Sequence, residues 1–331
     1  MRFFRHCHDL PAAARGGVVA LGNFDGFHKG HQRVIAEAAE VADHLGVPLN
    51  VLTTEPHPRS YFNPDGPSFR LSTLRTKAHC LDVFGVDNFF VLSFDAALAN
   101  MLAQDFVVEI LVKGLEICHA VAGFDYRFGK GRGGGADVLR WMGLMEDFGV
   151  TIVEKVRFQG EGEAYSSSRI RNALRQGQVR TATDLLGHWW TVEGHVMTGD
   201  RRGRTIGFPT ANLDMSDYLH PAFGVYAVRV ELGGGDDRRV YDGVANIGRR
   251  PTFDKEDVTL EVFLFDFSGD LYGQVIVVEV VDFIRPERKF ADVEALKAQI
   301  AADCETARKL LADPDLARER YALPRLERAR S

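Results

Sequence analysis

The sequence has little cysteine. Cys7, Cys80, Cys118 and Cys304 are the four in 331 residues. None sits in a CxxC or other metal-ligand spacing, and a chain this long does not depend on a disulfide framework, so a reducing cytoplasmic setting is expected. No run approaches 18 consecutive apolar residues, so no membrane span is expected. Met1 to Gly17 carries His6, His8 and several arginines but no apolar stretch, which excludes a secretory signal. Charge of one sign is not concentrated either. The formal net charge is −6 with Lys and Arg scattered, which argues against a nucleic-acid or anionic-membrane surface. The short basic stretches, Arg201 to Arg204 and Arg249–Arg250, suit one phosphate group rather than a polyanion. No GxxxxGK[ST] sequence occurs, so a P-loop kinase is excluded. No internal repeat is present.

What is there reads as two domains. Apolar residues make up 45% and charged residues 26% of the chain, an ordinary globular balance at a length too great for one core. Up to about residue 185, strand-like runs (Gly17 to Leu21, Leu49 to Thr53, Phe89 to Leu92, Cys118 to Ala122, Thr151 to Val156) alternate with helical spacing, as over His31 to Leu45. That alternation predicts an α/β domain with a mostly parallel, Rossmann-like sheet, whose ligands bind beyond the carboxyl ends of the strands. From about Gly187 short period-two segments take over: Val192 to Met197, Tyr226 to Glu231, Val240 to Asn246, Thr259 to Phe265 and Val275 to Phe283. They predict a small antiparallel β-barrel, with a hairpin tip at Gly233 to Asp236. A final helix is expected over Val293 to Leu311, and the charged tail beyond Pro314 is expected to be loosely attached. The domains are therefore drawn at 1–185 and 186–331.

The strongest local signal joins the first long strand to its helix: Gly22-Asn23-Phe24-Asp25-Gly26-Phe27-His28-Lys29-Gly30-His31. His28 and His31 are three apart, so they share one side of the first turn. Gly30 removes a side chain where a phosphate needs close access. The helix N-terminus adds N–H groups and positive potential. Together these suit charge stabilisation at an α-phosphate during nucleotidyl transfer; two surface histidines at a helix start are the plainer alternative. Ser166-Ser167-Ser168-Arg169-Ile170-Arg171 reads as a phosphate clamp or as an ordinary serine cap. Glu55-Pro56-His57-Pro58 is a stiff turn. Gly123 to Arg132 offers aromatics for a planar ring and cations for phosphates. Its Gly129, Gly131 and Gly134 also spell GxGxxG after a strand, with Glu154 about 20 residues on, as in a dinucleotide fingerprint. That match comes easily in a glycine-rich loop and falls on the fourth strand–helix unit, so it is discounted.

In the second half, Gly203-Arg204-Thr205-Ile206-Gly207-Phe208-Pro209-Thr210-Ala211-Asn212 stands out. Thr210 and Asn212 are two apart in a stretch that Pro209 holds extended, so both side chains face one way. A hydroxyl and an amide oxygen are hard ligands suited to Mg²⁺. Gly203 and Arg204 are placed to contact ATP phosphates. In Thr259 to Phe267, Leu260, Val262 and Leu264 share one face, and Glu261 shares the other with Phe263 and Phe265. A carboxylate on an apolar face suits a general base, or else a solvent-facing strand glutamate. Asn246 to Phe253 and Arg285 to Phe290 read as loops at a barrel mouth.

These motifs, together with the Leu-Leu-Gly at Leu185 to Gly187, Gly224-Val225-Tyr226-Ala227-Val228 and Asp270-Leu271-Tyr272-Gly273, run in one order along the chain. In this the sequence resembles the bacterial bifunctional riboflavin kinase/FAD synthetase family from end to end. The resemblance implies an N-terminal FMN adenylyltransferase of the nucleotidyltransferase fold and a C-terminal riboflavin kinase barrel. The substrates it implies are ATP, riboflavin and FMN, with Mg²⁺ as cofactor and no nucleic-acid or membrane partner. The oligomeric state is left open, between a monomer and a transient oligomer. By resemblance, His28 and His31 neutralise ATP phosphates, and Gly22, Phe24, Asp25, Gly30, Asp125, Ser167, Ser168 and Arg169 hold the nucleotide. Phe62 and Phe128 lie near the flavin of one site, and Asn246, Arg249 and Arg285 near that of the other. Thr210 and Asn212 ligate Mg-ATP, and Glu261 takes the proton from the riboflavin 5′-hydroxyl. There are departures. Ser168 stands for a usual threonine and keeps a hydroxyl. Phe263 stands for a usual histidine, which bears on kinase turnover. Gly133-Gly134-Gly135 replaces a loop that commonly has a polar residue, and Thr54 replaces a usual phenylalanine. A flavin-binding NAD(P)H oxidoreductase built on the Gly129 fingerprint and a non-catalytic flavin carrier are the alternatives.

Overall fold

The computed structural model describes residues 1–157, 164–198, 206–234, 237–251 and 256–328. They form two compact units, each discontinuous in sequence. The first comprises Met1–Pro67, Lys77–Tyr165 and Pro324–Ser331; the second comprises Ser68–Thr76 and Ser166–Leu323.

The first unit is built on six strands: β1 (Arg2–Phe4), β2 (Val18–Leu21), β3 (Leu49–Glu55), β4 (Asn88–Ser93), β5 (His119–Gly123) and β6 (Gly149–Val153). Their order is β1-β4-β3-β2-β5-β6, and every pairing is parallel. β2 lies at the centre and is buried along its whole length, as a strand covered on both faces must be. The chain leaves β2 toward β3 and β4 on one side and later toward β5 and β6 on the other. The order therefore reverses between β2 and β5, and the crevice beyond their carboxyl ends is where such sheets bind ligands. Helix α1 (Lys29–Leu45) follows β2, buries Val34, Ile35, Ala38 and Ala42, and ends at Gly46 with φ 66°.

The second unit carries β7 (Trp190–His195), β8 (Ala211–Asp214), β9 (Gly224–Leu232), β10 (Arg239–Pro251), β11 (Glu256–Leu264) and β12 (Val275–Pro286). They pair antiparallel in the order β7-β12-β9-β10-β11-β8. A bridge from Met197 to Asn212, with an N–H···O distance of 2.8 Å, joins the two ends into a nearly closed barrel. Alternation sorts the side chains. Leu260, Val262, Val228 and Val230 are wholly buried on the inner face. Val225, Ala227, Val244 and Phe265 on the outer face pack under the helix Val293–Leu311 through its Cys304, Ala307 and Leu311.

Two expectations need correction. Asn246, Arg249 and Arg285 lie within long strands rather than mouth loops: β10 runs through the first two, and β12 reaches Pro286. The tail is not loose. Arg318 bonds Glu231 and Glu279 at 2.7 Å, and Tyr321 packs on Trp189. Further on, Arg328 donates to Asp43 at 2.7 Å and to Asp87 at 2.6 Å, with a side chain only 8% exposed. Arg318 and Arg328, two of the charged residues that make the tail look hydrophilic, are groups that attach it.

Candidate active sites

At the carboxyl end of β2 the chain makes a tight loop in which Phe24 (φ 49°), Gly26 (φ 81°) and Phe27 (φ 44°) all take left-handed conformations. Two non-glycine residues with positive φ are unfavourable unless something holds them. Burial does so: both phenylalanines are 1% exposed, and Phe27 meets Phe84 edge-on at 5.0 Å. The ring of Phe24 lies over Gly22, where an added Cβ would sit 2.9 Å from it. Asp25 is buried between these anchors.

The loop delivers His28 to the N-cap of α1, where its ring Nδ1 accepts the backbone N–H of His31 at 3.3 Å. The two imidazoles stack, with centroids 3.6 Å apart and planes inclined by 17°. Gly30 makes this possible, since a Cβ there would stand 3.1 Å from the His28 ring. Two stacked imidazoles at a helix N-terminus form a compact site for negative charge. Across the crevice, Asp125 is exposed beyond β5, and Gly123 lies beside it, where an added Cβ would come 3.3 Å from Oδ1.

A cavity of about 460 Å³ begins at Gly22 and Asn23 and is walled by Phe62, Phe94, Phe106 and Phe128, with Arg59, Arg127 and Arg132 also lining it. Tyr126 stacks on Phe128 at 5.6 Å, and burial pushes its phenol well above the usual range. The GxGxxG glycines have local packing reasons. Gly129 (φ 71°) approaches the Ala103 backbone so closely that a Cβ would lie 2.7 Å from its Cα, and a Cβ on Gly134 would strike the Phe128 ring. The next long helix, α2 (Ala136–Met145), starts only after Gly135. The strand–turn–helix geometry that a dinucleotide needs is absent from this segment.

Ser167, Ser168 and Arg169 form the first turn of helix α3 (Ser167–Arg175), in the second unit, capped by the Ser166 hydroxyl accepting the Arg169 N–H at 3.3 Å.

In the barrel unit Glu261 pairs directly with Asn246 of β10 on one side and Asn212 of β8 on the other. Directly paired residues project from the same face, so the carboxylate is flanked by two amides. Thr210, Asn246, Glu261 and Arg285 all line one cavity of about 550 Å³, with Phe208, Phe263 and Phe290 among its apolar walls. Helix α4 (Val293–Leu311) closes it with Val293, Leu296, Ile300 and Asp303, a stripe at helical spacing. Phe263 meets Phe208 edge-on at 5.4 Å, so this departure extends an apolar wall. Asn212 donates its amide N–H to the Thr210 carbonyl at 3.3 Å, which turns its oxygen the other way. Arg249 is exposed over the Phe223 ring at 5.3 Å and is not part of the cavity wall. Gly203 and Arg204 lie outside the described residues.

Sequence reasoning missed the support of Arg285. Its guanidinium grips Asp303 with Nε at 2.9 Å and Nη2 at 2.7 Å, and Gln299 donates to the same carboxylate at 2.7 Å. An aspartate on the buried face of a predicted helix was the available signal.

A nucleotide-type crevice in one unit and a carboxylate-bearing barrel cavity in the other describe a two-site transferase, and comparison with known proteins agrees. A family model described as FAD synthetase matches residues 10–169, and one described as riboflavin kinase matches residues 186–311. A bifunctional riboflavin kinase/FMN adenylyltransferase of Haemophilus influenzae is 39% identical over 93% of this chain and 98% of its own. One of Bacillus subtilis is 41% identical over 91% and 95%. A crystal structure described as a macrolide-efflux protein from Streptococcus pneumoniae superposes with a TM-score of 0.80 at 35% identity, covering 92% of this chain and 98% of that one. No helix among the described residues is long and apolar enough to cross a membrane. The molecule is thus a transferase that makes flavin nucleotides. The chain belongs to the bifunctional riboflavin kinase/FMN adenylyltransferase family: it phosphorylates riboflavin to FMN and adenylylates FMN to FAD.

Proposed function

We propose that residues 1–185 carry the adenylyltransferase and residues 186–331 the kinase, with Glu261 as the kinase general base. The observation that carries this reading is the position of Glu261, between Asn246 and Asn212 in a cavity large enough for a flavin. Glu261 takes the proton of the riboflavin 5′-hydroxyl as that oxygen attacks the γ-phosphorus in line and ADP leaves. Asn246, Arg249 and Arg285 contact the flavin, Arg249 from its position over the Phe223 ring. Gly203 and Arg204 hold ATP phosphates. Thr210 and Asn212 would hold Mg²⁺; the Asn212 amide nitrogen is taken by the Thr210 carbonyl, which leaves its oxygen as the ligating end. Bound there, the ion would supply charge neutralisation for the phosphates.

In the first half, an FMN phosphate oxygen attacks the α-phosphorus of ATP and pyrophosphate leaves. His28 and His31 stabilise the developing charge. Gly22, Phe24, Asp25 and Gly30 shape the loop that presents them. Asp125, Ser167, Ser168 and Arg169 hold the nucleotide, and Phe62 and Phe128 flank the flavin ring. All four cysteines are free, which supports a reducing, cytoplasmic setting.

The test is Glu261→Gln, followed by chromatography of flavins with ATP and Mg²⁺. FMN formation from riboflavin falls about 10²–10⁴-fold, while FAD formation from supplied FMN keeps its rate. Loss of both activities in a folded variant overturns the two-site assignment.

A further inference from the structure

Kinase substrate and product share one ring system and differ only in a phosphate. Apolar walls and hydrogen bonds to the ring treat them alike, so release of product depends on charge. A phosphate monoester adds about −1.5 to −2 charges at pH 7. Among the described residues lining the barrel cavity, the charged groups are Glu261, Glu287 and Asp303 against Arg285 and Arg288. Carboxylates are in excess.

Asp303 is the deepest of these groups. It is 3% exposed and lies on the cavity face of α4. It holds Arg285 through Nε and Nη2 and is itself held by Gln299. The remaining terminal nitrogen of Arg285, Nη1, donates to the Pro286 carbonyl at 3.0 Å. The guanidinium is therefore fixed in orientation and neutralised at contact distance. It presents directional N–H groups but little net attraction for a phosphate.

We propose that Asp303 is a specificity-determining positioning residue: by neutralising Arg285 it lets the cavity accept uncharged riboflavin and expel anionic FMN. The inference rests on the reading of this cavity as the riboflavin site.

The experiment uses the full chain. Initial rates of ADP release are measured with riboflavin and MgATP, with FMN added as inhibitor. ADP reports the kinase alone, because adenylyl transfer releases pyrophosphate. The quantity read is the ratio of the FMN inhibition constant to the riboflavin KM. Asp303→Asn leaves Arg285 an uncompensated cation, and the ratio falls about tenfold, the scale of one nearby charge at moderate dielectric. A purely structural role raises both constants together and leaves the ratio unchanged, which overturns the proposal. A second arm needs no variant. In the unaltered enzyme the ratio falls as ionic strength rises, because screening weakens the repulsion of FMN; a ratio indifferent to salt overturns the proposal even if Asp303→Asn fails to fold. FMN that does not compete with riboflavin at all strikes the site assignment itself, and the proposal with it.

Discussion

His28 and His31 are three residues apart and share a stacked geometry, yet they do different structural work. His28 caps α1 through its ring nitrogen, whereas the His31 ring rests on Phe24 and His28. Their variants separate accordingly. His31→Ala lowers the rate of FAD formation about 10²-fold and leaves thermal stability nearly unchanged. His28→Ala lowers the same rate and also loses the cap, at a cost of about 1 kcal/mol. Pyrophosphate release and thermal unfolding, measured on both variants, check the pair. Equal unfolding temperatures would show that the cap is not supporting the helix.

At the scale of elements, the loop from Gly123 to Arg132 shows why a glycine pattern needs its geometry. Gly129 combines a positive φ with close approach to Ala103, so Gly129→Ala meets both backbone strain and a clash. The expected loss is about 1–3 kcal/mol, read as a lower unfolding temperature together with slower FAD formation. An unchanged unfolding temperature removes the packing explanation and reopens the fingerprint. Other elements were plain from sequence. The apolar spacing of Val34, Ile35 and Ala38 with Gly46 behind it marks α1, and the helix Val293–Leu311 has the bounds its spacing implies. The alternation around Glu261 sorts inner from outer barrel residues, and Thr210, Asn246 and Arg285, which share its cavity, come from three motifs the sequence displays. What was not legible depends on distant partners. Three-residue β1 is a strand because β4 pairs with it. Phe24 and Phe27 look like motif residues until their burial shows them anchoring a strained loop. Asp303 acquires its meaning from Arg285, 18 positions earlier on another element.

On the scale of the whole molecule, the tail decides how the first unit is held. Arg328 joins Asp43, Asp87 and the Gly85 carbonyl, and the Leu326 N–H reaches the Phe84 carbonyl at 3.0 Å. Arg328→Ala leaves two carboxylates facing each other without their cation. Because both are partly exposed, the expected loss is about 1–3 kcal/mol, below that for breaking a fully buried pair. Hydrogen exchange of the α1 C-terminus and of the turn before β4 reads this directly. Unaltered protection there would show that the tail merely rests on the surface.

The same attachment sets an order of events during translation. Asp43 and Asp87 emerge from the ribosome early, but the arginine that joins them follows only after the barrel and its covering helix have been made. The first unit therefore passes most of synthesis without the ion pairs between its own helix end and the turn before β4, and gains them from an arginine made 285 and 241 positions later, after the residues of the second unit.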